Sequence, residues 1–130
     1  MSEIKARILL AEDDRILRKA ATARLRQHGF TILTAEDGEE ALRLARAEAP
    51  DLVLLDLIMP KMQGFEVLRA LKADPATASI PVVVLSNLGQ EHDVTQTSEA
   101  GAVAYLVKAN LSLDELVQRV EAVLASGRDR

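Results

Sequence analysis

Asp51-Leu52-Val53-Leu54-Leu55-Asp56-Leu57-Ile58-Met59-Pro60 is an apolar run that ends in a carboxylate and is closed by a proline. Lying between Pro50 and Pro60, it reads as a strand buried on both faces, the pattern of central strands in a parallel sheet. Open α/β sheets of that kind bind ligands in the crevice beyond the carboxyl ends of their strands. Asp56 stands at such an end. On position alone, a functional carboxylate and a turn residue that merely ends the strand are equally good readings.

Outward from this strand the chain alternates between two periodicities. On the amino side, residues 6–11 form a short apolar run that ends in Glu12-Asp13-Asp14. Ile16, Leu17, Ala20, Ala21, Leu25 and His28 then step at helical spacing, with Asp13 or Asp14 at the helix start and Gly29 as its stop. Residues 30–35 read as a strand and Asp37-Gly38 as the turn leaving it. Residues 39–49 form a helix with Ala41, Leu42, Leu44 and Ala45 inward, stopped by Pro50.

On the carboxyl side, a loop with a permissive Gly64 leads to a helix carrying Phe65, Val67, Leu68 and Leu71, which Asp74-Pro75 ends. Residues 80–85 are a buried strand that delivers Ser86 and Asn87, with Pro81 tolerable only at its beginning. Residues 90–100 form the least hydrophobic helix, with Val94 almost its only large apolar residue, so it packs weakly. Gly101 ends that helix, residues 103–107 are the last strand, and Lys108 stands at its end. Ser112-Leu113-Asp114-Glu115 is a capping box, and Leu113, Leu116, Val117, Val120 and Leu124 supply the buried face of the last helix. Strands alternating with helices through short loops predict a single α/β domain over residues 1–130, with its core over about 6–126. The alternation alone leaves strand order open.

Composition narrows the functions. With 48% hydrophobic and 28% charged residues the chain is globular in character, and with one Tyr, two Phe and no Trp its core must be aliphatic. A net charge of −4 argues against a nucleic-acid surface, which needs a basic face. The chain has no cysteine, which removes disulfides and thiolate chemistry. No apolar stretch approaches the roughly 18 residues of a membrane span, and the expected location is the cytoplasm.

Four of the predicted strands end in polar residues: Glu12-Asp13, Asp56, Ser86 and Lys108. In a parallel sheet all these ends lie on one edge. Three clustered carboxylates repel one another and either raise a pKa or recruit a cation. Oxygen ligands without His or Cys favour Mg²⁺, Ca²⁺ or Mn²⁺. A lysine and a hydroxyl facing that cation suit a phosphoryl group, so the cluster reads as a metal-assisted phosphoryl-transfer site with Asp56 as nucleophile. Taken singly the residues have blander readings: Asp14 as a helix cap, Lys108 as a solvated lysine, Ser86 bonding its own backbone, Tyr105 as core with a wet hydroxyl. His28 and His92 are isolated. Together the bland readings require coincidence at four strand ends.

Glu12-Asp13, Asp56 followed by Met59-Pro60 and Gly64, Ser86, Tyr105 and Lys108 resemble the signature of response-regulator receiver domains of two-component signalling, over residues 7–124. The resemblance implies a flavodoxin-like (βα)5 fold with strand order 2-1-3-4-5, an order for which a chemotaxis receiver is a standard example. It implies that Asp56 accepts a phosphoryl group from a sensor histidine kinase or phosphotransfer protein. It further implies that Asp13 binds Mg²⁺ (with Mn²⁺ as a substitute) directly, Glu12 binds it through water, and Asp56 and the Ile58 carbonyl complete the set. Lys108 would contact the phosphoryl group and Ser86 would move to bond it. Tyr105 would turn inward and remodel the surface of the fourth helix, fifth strand and fifth helix for a downstream protein target, as a monomer or a phosphorylation-dependent dimer.

Two positions depart from the family pattern. Ala109 follows Lys108 where a proline with a cis bond is usual, and a cis bond before a non-proline residue costs about 2.5–4 kcal/mol, so a trans bond is expected. Asn87 replaces a smaller residue and, with Ile58 and Leu88, narrows the approach to Asp56. Slow autodephosphorylation and poor use of small phosphodonors are the expected results. A phosphatase using an aspartyl-phosphate intermediate would need a second carboxylate two residues after Asp56, where Ile58 stands. A flavin carrier would need a hydroxyl-rich loop where Glu12-Asp13-Asp14 stands. A degenerate receiver that binds partners without phosphorylation remains the alternative, kept open by Ala109 and Asn87. With no residues left for an output domain, either a single-domain regulator or an excised receiver is expected.

Overall fold

The computed structural model describes residues 6–87 and 91–128. The strands are β1 (Arg7–Ala11), β2 (Thr31–Ala35), β3 (Leu52–Asp56), β4 (Val82–Ser86) and β5 (Ala104–Val107), and the helices are α1 (Arg15–Gln27), α2 (Gly38–Glu48), α3 (Gly64–Ala73), α4 (Glu91–Glu99) and α5 (Leu113–Arg128). All strand pairs are parallel, in the order β2-β1-β3-β4-β5. This is the flavodoxin-like arrangement, with β3 at its centre.

Every residue of β3 is buried, and the alternation of a strand divides them between two cores. Leu52 and Leu54 join Ile8, Leu10, Val83, Leu85 and Leu106 under α1 and α5, where Leu25, Leu116, Val117 and Val120 cover them. Val53 and Leu55 join Leu9, Ala11 and Val82 under α2 and α3, against Ala41, Ala45, Val67, Leu68 and Leu71. A strand with helices on both faces has no solvated side, so its sequence is continuously apolar. Among the described residues, no helix is long and apolar enough to cross a membrane.

The inward face of α1 differs from the sequence expectation. Its buried residues are Ala21, Thr22 and Leu25, whereas Ile16 is 82% exposed and His28 is an exposed C-cap beyond the last helical turn. Ile16 lies five residues before Ala21, which rotates it away from the stripe that meets the sheet. Asp14 caps α1, its Oδ1 accepting from Ile16 N at 3.0 Å and Leu17 N at 3.2 Å. Gly29 takes the positive φ of 93° that follows the helix. The capping box of α5 forms as expected, with Glu115 N donating to Ser112 Oγ and Ser112 N to Glu115 Oε1, both at 3.1 Å. α4 is thinly anchored: Val94 is 38% exposed, and the hydroxyl of buried Thr97 turns back to the carbonyls of Asp93 and Val94.

Leu54→Ala, which opens a cavity in the centre of the sheet, is expected to lower unfolding free energy by about 2–5 kcal/mol. Ile16→Ala is expected to stay within about 0.5 kcal/mol of the parent. Urea unfolding of both variants checks this, and equal losses would contradict the burial pattern.

Candidate functional site

Strand register brings the chemistry together. Ala11 pairs with Leu55, so Glu12 lies level with Asp56, and Asp56 pairs with Leu85, one residue before Ser86. Ser86 pairs in turn with Val107, which precedes Lys108. These side chains open into a cleft of about 310 Å³ lined by Glu12, Asp13, Asp14, Asp56, Ile58, Ser86, Asn87 and Lys108. Six of the predicted site residues therefore share one cavity.

Asp56 is only 4% exposed at the floor of the cleft. Its Oδ1 accepts from Ile58 N at 3.2 Å and its Oδ2 from Lys108 Nζ at 3.1 Å. Lys108 Nζ also lies 2.6 Å from Glu12 Oε1, an ion pair in which that oxygen receives no well-aligned hydrogen bond. Glu12 Oε2 accepts from Asp14 N at 3.0 Å. One ammonium thus serves two buried carboxylates, while the Asp13 carboxylate is exposed and has no partner among the described residues. Tyr105 does not line the cleft; it is half-buried behind it and hydrogen-bonded to Ser86.

The Lys108–Ala109 bond is trans, as expected, and residues Lys108–Asn110 form one 3-10 turn closed by Leu111 N to Lys108 O at 3.2 Å. This turn still delivers the ammonium to Asp56. The loop after Asp56 is pressed close by two glycines. A Cβ at Gly64 would lie 2.1 Å from Asp56 O, and one at Gly38 would lie 1.8 Å from Met62 O. Gly64 is therefore required by close approach rather than by a permissive backbone; the positive φ in this loop, 68°, belongs to Lys61. Arg18, which the sequence reading passed over, donates from Nη1 to Glu12 O at 2.8 Å and Asp13 O at 3.4 Å. Its signal in the sequence was an arginine about one helical turn after the capping Asp14. Leu88 lies outside the described residues.

Burial pushes the Glu12 pKa up to about 7, with Asp56 adding to the rise and Lys108 and the Asp14 N–H opposing it. Burial alone would lower the Lys108 pKa, but the carboxylates of Glu12 and Asp56 more than reverse that and hold it above the ordinary lysine value. Burial also raises the Tyr105 pKa, against the hydrogen bond from Ser86. The donor set suits a hard divalent cation. One carboxylate oxygen each from Glu12, Asp13 and Asp56 lies within 4.8 Å of the others, with no nitrogen or sulfur ligand among them.

The sequence and the fold have close counterparts among known proteins. The model of the response regulator receiver domain matches residues 8–121. Protein PilH of Pseudomonas aeruginosa is 39% identical over 120 residues, covering 92% of this chain and 98% of its own length. The DNA-binding response regulator MtrA of Mycolicibacterium smegmatis is 40% identical, over 99% of this chain and 55% of its own length. The chain spans only 15% of the gliding motility regulatory protein of Myxococcus xanthus, to which it is 40% identical. In structure, the chemotaxis protein CheY4 of Vibrio cholerae superposes with a TM-score of 0.85 at 27% identity, covering 91% of this chain and 98% of that one. The chain belongs to the response regulator receiver domain family of two-component signalling. Receiver domains are signalling proteins that interact with histidine kinases or phosphotransfer proteins and with downstream targets, and phosphorylation and Mg²⁺ binding through acidic residues are typical of them.

Glu12 makes the stability of the metal-free protein depend on pH. Its folded pKa, about 7, lies above the ordinary value of 4.5, so between these values the folded state holds more protons than the unfolded state. Stability from this group is therefore present at acid pH and is lost as pH rises through that window. Urea unfolding in EDTA, compared between the parent and Glu12→Gln, should show this decline in the parent alone; parallel pH profiles would count against a protonated Glu12.

Proposed function

We propose that this chain is a phosphoaccepting receiver in which Asp56 takes the phosphoryl group. Asp56 Oδ attacks phosphorus, the P–N bond of a phosphohistidine breaks, and its electron pair returns to the imidazole. The observation that supports this reading best is the placement of Asp56 at the floor of an open cleft, 3.1 Å from the ammonium of Lys108. Lys108 is then the group that holds one peripheral phosphoryl oxygen and Ser86 the group that hydrogen-bonds another. Glu12, Asp13, Asp56 and the Ile58 carbonyl would hold Mg²⁺, which when bound supplies positive charge to the phosphoryl oxygens. The transfer is one the chain assists, and the chain turns over no small-molecule substrate.

The signal leaves through Tyr105. A move of Ser86 toward a phosphoryl oxygen breaks its hydrogen bond with Tyr105, which couples the acceptor to the surface of α4, β5 and α5. Thinly anchored α4 is the element on that surface least costly to reorganise. The donor is a sensor histidine kinase or a phosphotransfer protein in the cytoplasm, and the recipient is a protein that reads the altered surface, with the receiver a monomer or a phosphorylation-dependent dimer. Ile58 is 55% exposed at the rim and Asn87 lines the same cleft, so both obstruct an attacking water and slow autodephosphorylation.

Intact mass after incubation with Mg²⁺ and a phosphorylated phosphotransfer protein tests this function. A single phosphoryl adduct is expected on the parent, none on Asp56→Asn, and none in EDTA. The adduct on the parent should persist, and Ile58→Asn should shorten its lifetime. Absence of an adduct with several competent donors would favour a receiver that binds partners without phosphorylation.

A further inference from the structure

We infer that Arg18 is the positioning residue of the cation site, clamping the backbone of the Glu12-Asp13 turn so that its carboxylates stay directed into the cleft. The inference rests on the metal-binding reading above.

The turn between β1 and α1 leaves two carbonyls in need of donors. Glu12 is still tied to the sheet, its N–H donating to Ala35 O at 3.0 Å. The hydrogen bonding of α1 begins with Arg18 N to Asp14 O at 2.9 Å, so the carbonyls of Glu12 and Asp13 fall before the helical ladder. Without a donor the part-buried Glu12 carbonyl would turn toward water and carry its side chain with it. Arg18 prevents this from the first turn of the helix. Its Nη1 donates to Glu12 O at 2.8 Å and Asp13 O at 3.4 Å, while Nη2 donates to Glu36 Oε1 at 3.2 Å. The Arg18 side chain is only 12% exposed. One planar group thereby joins the end of β1, the start of α1 and the residue after β2.

The choice of acceptors distinguishes this arginine from an ordinary ion-pair partner. A guanidinium beside acids tends to take a carboxylate in a bidentate fork. Here its bonds to the acidic pair go to backbone oxygens, so the Asp13 carboxylate is left for a cation. A lysine ammonium is a point charge and cannot span the carbonyls and Glu36 with the same fixed geometry. Groups behind the ligands of a metal site commonly set its affinity by fixing ligand orientation.

Mn²⁺ binding, followed by electron paramagnetic resonance of the free ion, tests the inference on the full chain. Arg18→Met and Arg18→Lys are compared with the parent and with Glu36→Gln, and circular dichroism in EDTA verifies that each is folded. Arg18→Met is expected to raise the Kd about 10–100-fold, as loss of such supporting groups does, and Arg18→Lys is expected to raise it less. Glu36→Gln removes an ion pair whose acid is 72% exposed and should leave the Kd within about twofold. A parent-like Kd in a folded Arg18→Met protein overturns the inference, as does an equal loss in Glu36→Gln. If Arg18→Met does not fold, a parent-like Kd in Arg18→Lys overturns it. A parent that binds no Mn²⁺ overturns the metal reading itself, and this inference with it.

Discussion

Two carboxylates, Glu12 and Asp56, are buried side by side at the end of the two central strands, and a single ammonium stands between them. Lys108 Nζ lies 2.6 Å from one and 3.1 Å from the other. Like charges at this separation and depth are tolerated only when compensated, and removing one member of such a set leaves an uncompensated charge in a low-dielectric site. Burial first, with the Asp56 carboxylate adding to it, keeps the Glu12 pKa raised even with Lys108 beside it. The flanking strands, the close loops and the packed helices all bear on holding these three groups together.

The fold meets this demand by making the centre rigid and the edge looser. β3 is buried along its whole length between helices on both faces, so Asp56 extends from a strand that packing holds on every side. The loop that follows is pinned by Gly64 and Gly38, where even a methyl group would collide with backbone. At the other edge, β5 is only partly buried and α4 contributes little to either core. Rigidity at Asp56 and compliance at the periphery are the combination that the proposed phosphoaccepting switch requires.

The route of Lys108 to the cleft illustrates how geometry compensates for chemistry. Proline is usual after this lysine in proteins that resemble the chain, and Ala109 removes the incentive for a cis bond. A trans bond followed by a single 3-10 turn carries the chain from β5 toward α5 and still aims the ammonium at Asp56. With a trans bond at Ala109, the ion pair between Lys108 and Asp56 is formed.

Much of this was legible in the chain itself. The continuous apolar run before Asp56 specified a strand buried on both faces, because burial of both faces leaves no polar positions. The acidic pair, the hydroxyl and the lysine at successive strand ends could be assigned to one edge, because parallel strands put all their carboxyl ends on the same side. Local signals also held: Asp14 caps α1, and Ser112 and Glu115 cap α5. Tertiary structure alone decided the rest. Ile16 and His28 face solvent, because packing on the sheet makes the Ala21, Thr22 and Leu25 stripe the inward one and ends α1 before His28. Gly64 read as a flexible turn residue, yet its role is to let α3 approach the backbone of Asp56, a distance that no local pattern encodes. Arg18 reaches the Glu12 and Asp13 carbonyls within its own stretch of chain, but its bond to Glu36 depends on β1 and β2 lying side by side. That adjacency, like the sharing of one ammonium by two carboxylates, arises only when strands distant in sequence are set in register.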